Sequence, residues 1–97
     1  MNKYNYRIFM IDEKEKWIFI THDDWDEPEA FVALVKKLRD NCGGSIFVVG
    51  DEQYKIKGDK FDLIYQFDDL FGTVVIYTDD SSKHDIIKFL ETTFSQI

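Results

Sequence analysis

Apolar side chains recur at every second position from Tyr4 to Ile11. Tyr4, Tyr6, Ile8 and Met10 share one face, and Phe9 and Ile11 make the far end apolar on both. This period predicts a strand. Asp12-Glu13-Lys14-Glu15 is a polar break of hairpin length, and Lys16 to Thr21 returns as an antiparallel second strand. The period then changes. Phe31, Leu34, Val35 and Leu38 fall at i, i+3, i+4 and i+7, one buried stripe of a helix. Asp26 is placed to cap its start, Glu29 to complete a capping box, and Pro28 sits in the first turn. Lys36, Lys37 and Arg39 fall near its C-terminal end, and Gly43-Gly44 closes it, the first glycine supplying the left-handed cap residue.

The second half reads as four more strands and a helix. Ser45 to Val49 is almost continuously apolar, the pattern of a central strand. Gln53 to Lys57 alternates like a half-exposed strand and is a candidate sheet edge. Phe61, Leu63, Tyr65 and Phe67 alternate with Asp62, Ile64 and Gln66, and Thr73 to Thr78 is β-branched. Asp79-Asp80-Ser81-Ser82 precedes a last helix with Ser82 as its N-cap and Ile86, Leu90 and Phe94 on its inner stripe. The expected order is ββαββββα. It predicts an α+β domain: a mostly antiparallel sheet of four to five strands with two helices packed on one face.

Composition narrows the function classes. Ninety-seven residues form one domain, 1–97, without linker or repeat. Nineteen Asp and Glu against twelve Lys and Arg leave a net charge of −7, which repels phosphate backbones and argues against direct nucleic-acid binding. One Cys excludes an intrachain disulfide, and with two His it cannot supply a structural zinc set. No apolar run approaches the roughly 18 residues of a membrane span, and the first residues lack a signal-peptide core, so the expected location is cytoplasmic. No cofactor is implied.

Candidate chemistry concentrates in carboxylates. His22-Asp23-Asp24-Trp25-Asp26-Glu27-Pro28-Glu29 holds five of them, no lysine or arginine, and one Trp. Capping needs one or two; the rest repel one another, which is better explained by a cationic partner around a Trp anchor. Asp68-Asp69 and Asp79-Asp80 flank the strand Thr73 to Thr78. They lie about 20 Å apart, too far to chelate one ion, and turn chemistry is the local role for each. The catalytic readings are weaker. Ser81, Ser82, His84 and Asp85 are crowded into one helix start without an oxyanion hole. Asp12-Glu13-Lys14 and Glu52 with Lys55 echo nuclease signatures but sit at turns. His22, Asp23 and Asp24 could hold a divalent ion only with further ligands. The chain reads as a non-enzyme without a metal site.

The stretch Leu63-Ile64-Tyr65-Gln66-Phe67-Asp68-Asp69-Leu70-Phe71-Gly72-Thr73-Val74-Val75-Ile76-Tyr77 followed by a helix resembles immunity proteins of bacterial contact-dependent growth inhibition systems. The strand, acidic loop and helix from Trp17 to Leu38 look similar too. The resemblance implies a small cytosolic antitoxin that binds the C-terminal domain of one cognate toxin, often a nuclease, and blocks it. It carries over no binding residues. From electrostatics, the expected partner-binding residues are Asp23, Asp24, Trp25, Asp26 and Glu27, with Asp68 and Asp69 or Asp79 and Asp80 as a second patch. The alternatives are an acidic adaptor for another basic protein and a small metal-dependent hydrolase. A monomer is the expected state.

Overall fold

In the computed structural model, residues 2–23, 29–43, 45–50, 53–59, 61–68 and 72–97 are described. Six strands form one sheet: β1 (Arg7–Asp12), β2 (Trp17–Thr21), β3 (Ser45–Gly50), β4 (Gln53–Lys57), β5 (Asp62–Asp68) and β6 (Gly72–Tyr77). The helices are α1 (Glu29–Asn41) and α2 (Lys83–Ser95), with a one-turn 3-10 helix at Asp80–Ser82 before α2. The architecture is α+β with an antiparallel sheet and two helices. Two details differ from expectation: the sheet has six strands, and the 3-10 turn interrupts the expected order of elements.

The spatial order is β1-β2-β6-β5-β4-β3, and every neighbouring pair is antiparallel. Two hairpin systems, β1–β2 and β3 to β6, therefore meet at the β2–β6 seam. The four strand spacings from β2 to β3 span about 19 Å. β2 and β3 run in the same direction, so the chain between them crosses over the sheet, and Phe31 in the first turn of α1 already lies over β4 and β5, against Tyr54 and Tyr65.

This order overturns two expectations. The apolar strand Ser45 to Val49 is not central: β3 is an edge, and its Val48 is 74% exposed. β4 lies inside the sheet between β3 and β5, so Gln53 to Lys57 is not an edge. Continuous apolarity signals burial on two faces, but it does not record a neighbour on each side.

The core lies between the helices and one face of the sheet. Ala30, Leu34, Val35 and Leu38 of α1 and Ile86, Leu90 and Phe94 of α2 pack on Ile18, Ile20, Ile56, Leu63, Tyr65, Val75 and Tyr77. Both helices thus cover the same face. In β1 the face assignment changes part-way along. Ile8 pairs with Ile20 and Met10 with Phe19, and the register shift between them is a bulge at Phe9. The extra residue reverses the alternation. Ile8 and Ile11 join the core, while Met10, expected beside Tyr6 and Ile8, turns to the other face. Tyr4 and Tyr6 precede the strand in a turn that Asn2 ties: its Oδ1 accepts from the Tyr6 N–H and its Nδ2 donates to the Tyr6 carbonyl, both at 2.8 Å.

Gly43 (φ +71°) provides the left-handed residue after α1. At α2, Ser82 occupies the N-cap position but its hydroxyl makes no capping bond. Asp79 caps the preceding 3-10 turn instead, accepting from the Ser81 N–H at 3.0 Å. The expected cap at Asp26 and the first-turn Pro28 lie outside the described residues. Among the described residues no helix is long and apolar enough to cross a membrane.

Candidate functional site

Strand directions decide which acidic connections meet. β2 ends at Thr21, and Ile20 faces Thr73 near the start of β6, whose first residue Gly72 faces Asp68 at the end of β5. The end of β2, the end of β5 and the start of β6 therefore stand at one end of the sheet. Gly50 and Gln53, paired at the mouth of the β3–β4 hairpin, lie at this end as well, since Gln53 faces Gln66 near the end of β5. Asp23, just past β2, and Asp68, the last residue of β5, lie at this same end, with β6 between the two strands. Asp79 and Asp80 follow β6 and stand at the other.

The first turn of α1 is fixed to the same end by two buried tyrosines. Tyr6 donates its hydroxyl to the Ala30 carbonyl, and Tyr65 donates to the Phe31 carbonyl at 3.0 Å. Phe31 stacks on Tyr65 with ring centroids 4.6 Å apart and meets Phe67 edge-on at 6.1 Å. Burial raises the Tyr65 phenol well above its ordinary pKa, so it remains a neutral donor.

Asp23 is exposed. Its backbone N–H donates to the Tyr4 carbonyl at 3.0 Å, and its carboxylate meets Arg7 at 3.4 Å. Both partners are at least half exposed, so the pair is screened and contributes little. Asp68 is half-buried at the end of β5. Asp24, Trp25, Asp26, Glu27 and Asp69 lie outside the described residues.

The opposite end mixes charges and uses them locally. Glu13 accepts from the Lys83 ammonium, which holds the Glu13 carboxyl below its usual range and raises Lys83. Lys16 donates to the Thr78 carbonyl at 3.1 Å. One oxygen of Asp12 accepts from the N–H groups of Lys14 and Glu15, each at 3.1 Å, closing the β1–β2 turn. The Asp79 carboxyl is lowered chiefly by the Ser81 backbone N–H. The expectation that turn chemistry employs Asp79 is met; Asp80 stands exposed beside it.

His22 and Asp23 diverge. His22 is buried with its ring edge-on to Tyr6 at 5.7 Å, whereas Asp23 faces solvent. Among the described residues no group of three or more His, Cys, Asp or Glu stands close enough to hold a metal ion. Cys42 is buried, and its thiol donates to the Arg39 carbonyl at 3.2 Å.

Sequence reasoning missed a second surface, the sheet face that the helices leave uncovered. Trp17, Phe19, Ile64, Val74 and Ile76 alternate with the core residues of β2, β5 and β6 and so point away from both helices; Trp17, Ile64 and Ile76 are half-buried, whereas Phe19 and Val74 are buried. The bulge adds Phe9, 53% exposed, and Met10, 46% exposed. Phe19 packs between Phe9 and Trp17, each ring at 5.8 Å. The signal was present in the sequence: Trp17 to Ile20 and Val74 to Tyr77 are apolar on both faces, while two helices can cover only one.

No known family model, curated protein or solved structure matches the chain.

Proposed function

We propose that the protein is an immunity protein. It binds the basic C-terminal domain of a cognate bacterial toxin, a nuclease by this reading, and neutralises it in the cytoplasm without catalysis. The observation that carries the reading is that the strand ends flanking three acid-rich segments share one end of the sheet, where Arg7 pairs with Asp23. The strand ends flanking positions 22–28, 51–52 and 69–71 lie at one end of the sheet. With Asp68 these segments contain Asp23, Asp24, Asp26, Glu27, Asp51, Glu52 and Asp69, and no lysine or arginine.

An anionic end of this kind suits a protein whose own substrate is a polyanion. A nuclease holds nucleic acid in a basic cleft, and an acidic binder competes for that cleft while being steered to it. Charge alone gives rapid encounter; lasting inhibition needs a buried anchor. In this reading Trp25 is the anchor, Asp23, Asp24, Asp26 and Glu27 surround it, and Asp68 and Asp69 extend the same epitope. Asp79 and Asp80, at the other end, fall outside it.

The proposal predicts a secreted effector encoded immediately upstream, and co-expression with the C-terminal domain of that effector tests it. The expected result is a stable stoichiometric complex and rescue of growth. Failure to bind or to protect overturns it.

A further inference from the structure

We propose that a shelf of apolar side chains on the helix side of the sheet, formed by Phe31, Val48, Tyr54 and Phe67, is a second anchor on which the basic toxin domain is held. Its premise is the toxin reading above, to which it adds a contact that sets the lifetime of the complex.

Strand register places the shelf. Val48 pairs with Tyr54 and Tyr54 with Tyr65, so the three form one cross-strand row on the face that carries the core. Phe67 follows Tyr65 by two residues in β5 and shares that face. Phe31 joins the group from α1, its ring 6.1 Å from Tyr54 and 6.1 Å from Phe67. Phe31, Tyr54 and Phe67 are half-buried. Ile46, two residues earlier in β3 on the same face, packs half-buried against the core, whereas Val48 is 74% exposed. The helices therefore leave this corner of the sheet open, at the end where Gly50 pairs with Gln53 and β5 finishes at Asp68.

Charge selects the occupant. The four side chains come from stretches 17–35, 45–54 and 61–82, none of which contains a lysine or arginine. Exposed Glu29 opens α1 two residues before Phe31, Asp68 follows Phe67, and Asp51 and Glu52 stand in sequence between Val48 and Tyr54. Lys55, next along β4, projects from the opposite face. An apolar centre with an anionic rim fits a protein whose own apolar residues are ringed by lysine and arginine. The same rim repels nucleic acid and anionic lipid, and a second copy would bring like charges together. Acids and shelf act on different rates: exposed charge steers encounter, while desolvated apolar contacts slow dissociation.

Surface plasmon resonance of the full chain against the C-terminal domain of the upstream effector tests the proposal. Val48→Ser is expected to raise the dissociation rate about tenfold and to leave the association rate little changed, whereas Val48→Leu keeps dissociation slow. Both variants are expected to retain the parent's circular dichroism spectrum, because the side chain is largely exposed. Phe9→Ser, on the face opposite the helices, is the control and changes neither rate. A parent chain that binds, with a dissociation rate indifferent to Val48→Ser or raised equally by Phe9→Ser, overturns this inference and leaves the toxin reading standing. A parent chain that does not bind overturns both.

Discussion

Two hydroxyl groups join the start of α1 to the sheet, and their removal is a measurable residue-scale change. Tyr6→Phe frees the Ala30 carbonyl and Tyr65→Phe the Phe31 carbonyl. Each variant is expected to lose about 1 kcal/mol, the net worth of an ordinary hydrogen bond, as read from the urea midpoint. Gly43 makes a second residue-scale case. Its φ of +71° suits glycine, and a Cβ there would press on the Asp59 carboxylate. Gly43→Ala is therefore expected to cost about 1 kcal/mol, and Gly50→Ala less, since a Cβ at Gly50 meets only Gln53 Cβ at 3.9 Å.

The titration of two exposed acids sets a pH dependence. Asp79 and Glu13 have folded-state values below their ordinary 3.8 and 4.5. Their contributions are present above those ordinary values and are lost as pH falls through the lower folded values. Lys83 works in the opposite direction: its contribution is present below its ordinary 10.5 and is lost as pH rises above it. Thermal melts from pH 2 to 6 are expected to show a smaller acid-induced loss in Asp79→Asn than in the parent chain.

At the scale of elements, the two helices and the bulge in β1 carry different loads. Leu34 of α1 and Leu90 of α2 are fully buried against the sheet, so Leu34→Ala or Leu90→Ala is expected to cost about 2–5 kcal/mol in urea unfolding. The bulge is cheaper. Deleting Phe9 restores the simple alternation of Ile8, Met10, Ile11 and Asp12 without moving Ile8 or Ile11 off the core. That variant is expected to remain folded within about 1 kcal/mol of the parent, with the same far-ultraviolet spectrum.

Most element positions were legible in the sequence because local signals coincide there. The helical stripe ending at Gly43, the alternation of β5 and the β-branched run of β6 each agree with their observed limits to within a residue or so. Non-local features were not legible. Val48 is apolar yet exposed because β3 has a partner on one side only, a fact set by where α1 delivers the chain. Met10 changed faces because one unpaired residue shifts every side chain after it. Ser82 yielded capping to Asp79 because an extra 3-10 turn places Asp79 three residues earlier. The candidate acids were visible individually. Their grouping was not, since only the register shows that Asp23 and Asp68 share an end and that Asp79 stands apart with Glu13 and Lys83.

At the scale of the whole molecule, charge is sorted along the strand direction. One end presents connections without a lysine or arginine, with Arg7 at the start of β1 beside Asp23; the other interleaves acids with Lys14, Lys16 and Lys83. An uneven field of this kind orients the molecule toward a cation during encounter, and the effect decays over about 8 Å at physiological salt. The central claim, that the Asp23–Asp68 end receives a basic toxin domain, is tested most directly by stopped-flow association with that domain across a salt series. The account predicts an association rate that falls steeply with ionic strength, is reduced about tenfold or more by the double variant Asp23→Lys/Asp68→Lys, and is little changed by Asp79→Lys/Asp80→Lys. Equal sensitivity to both double variants, or a rate indifferent to salt, would contradict it.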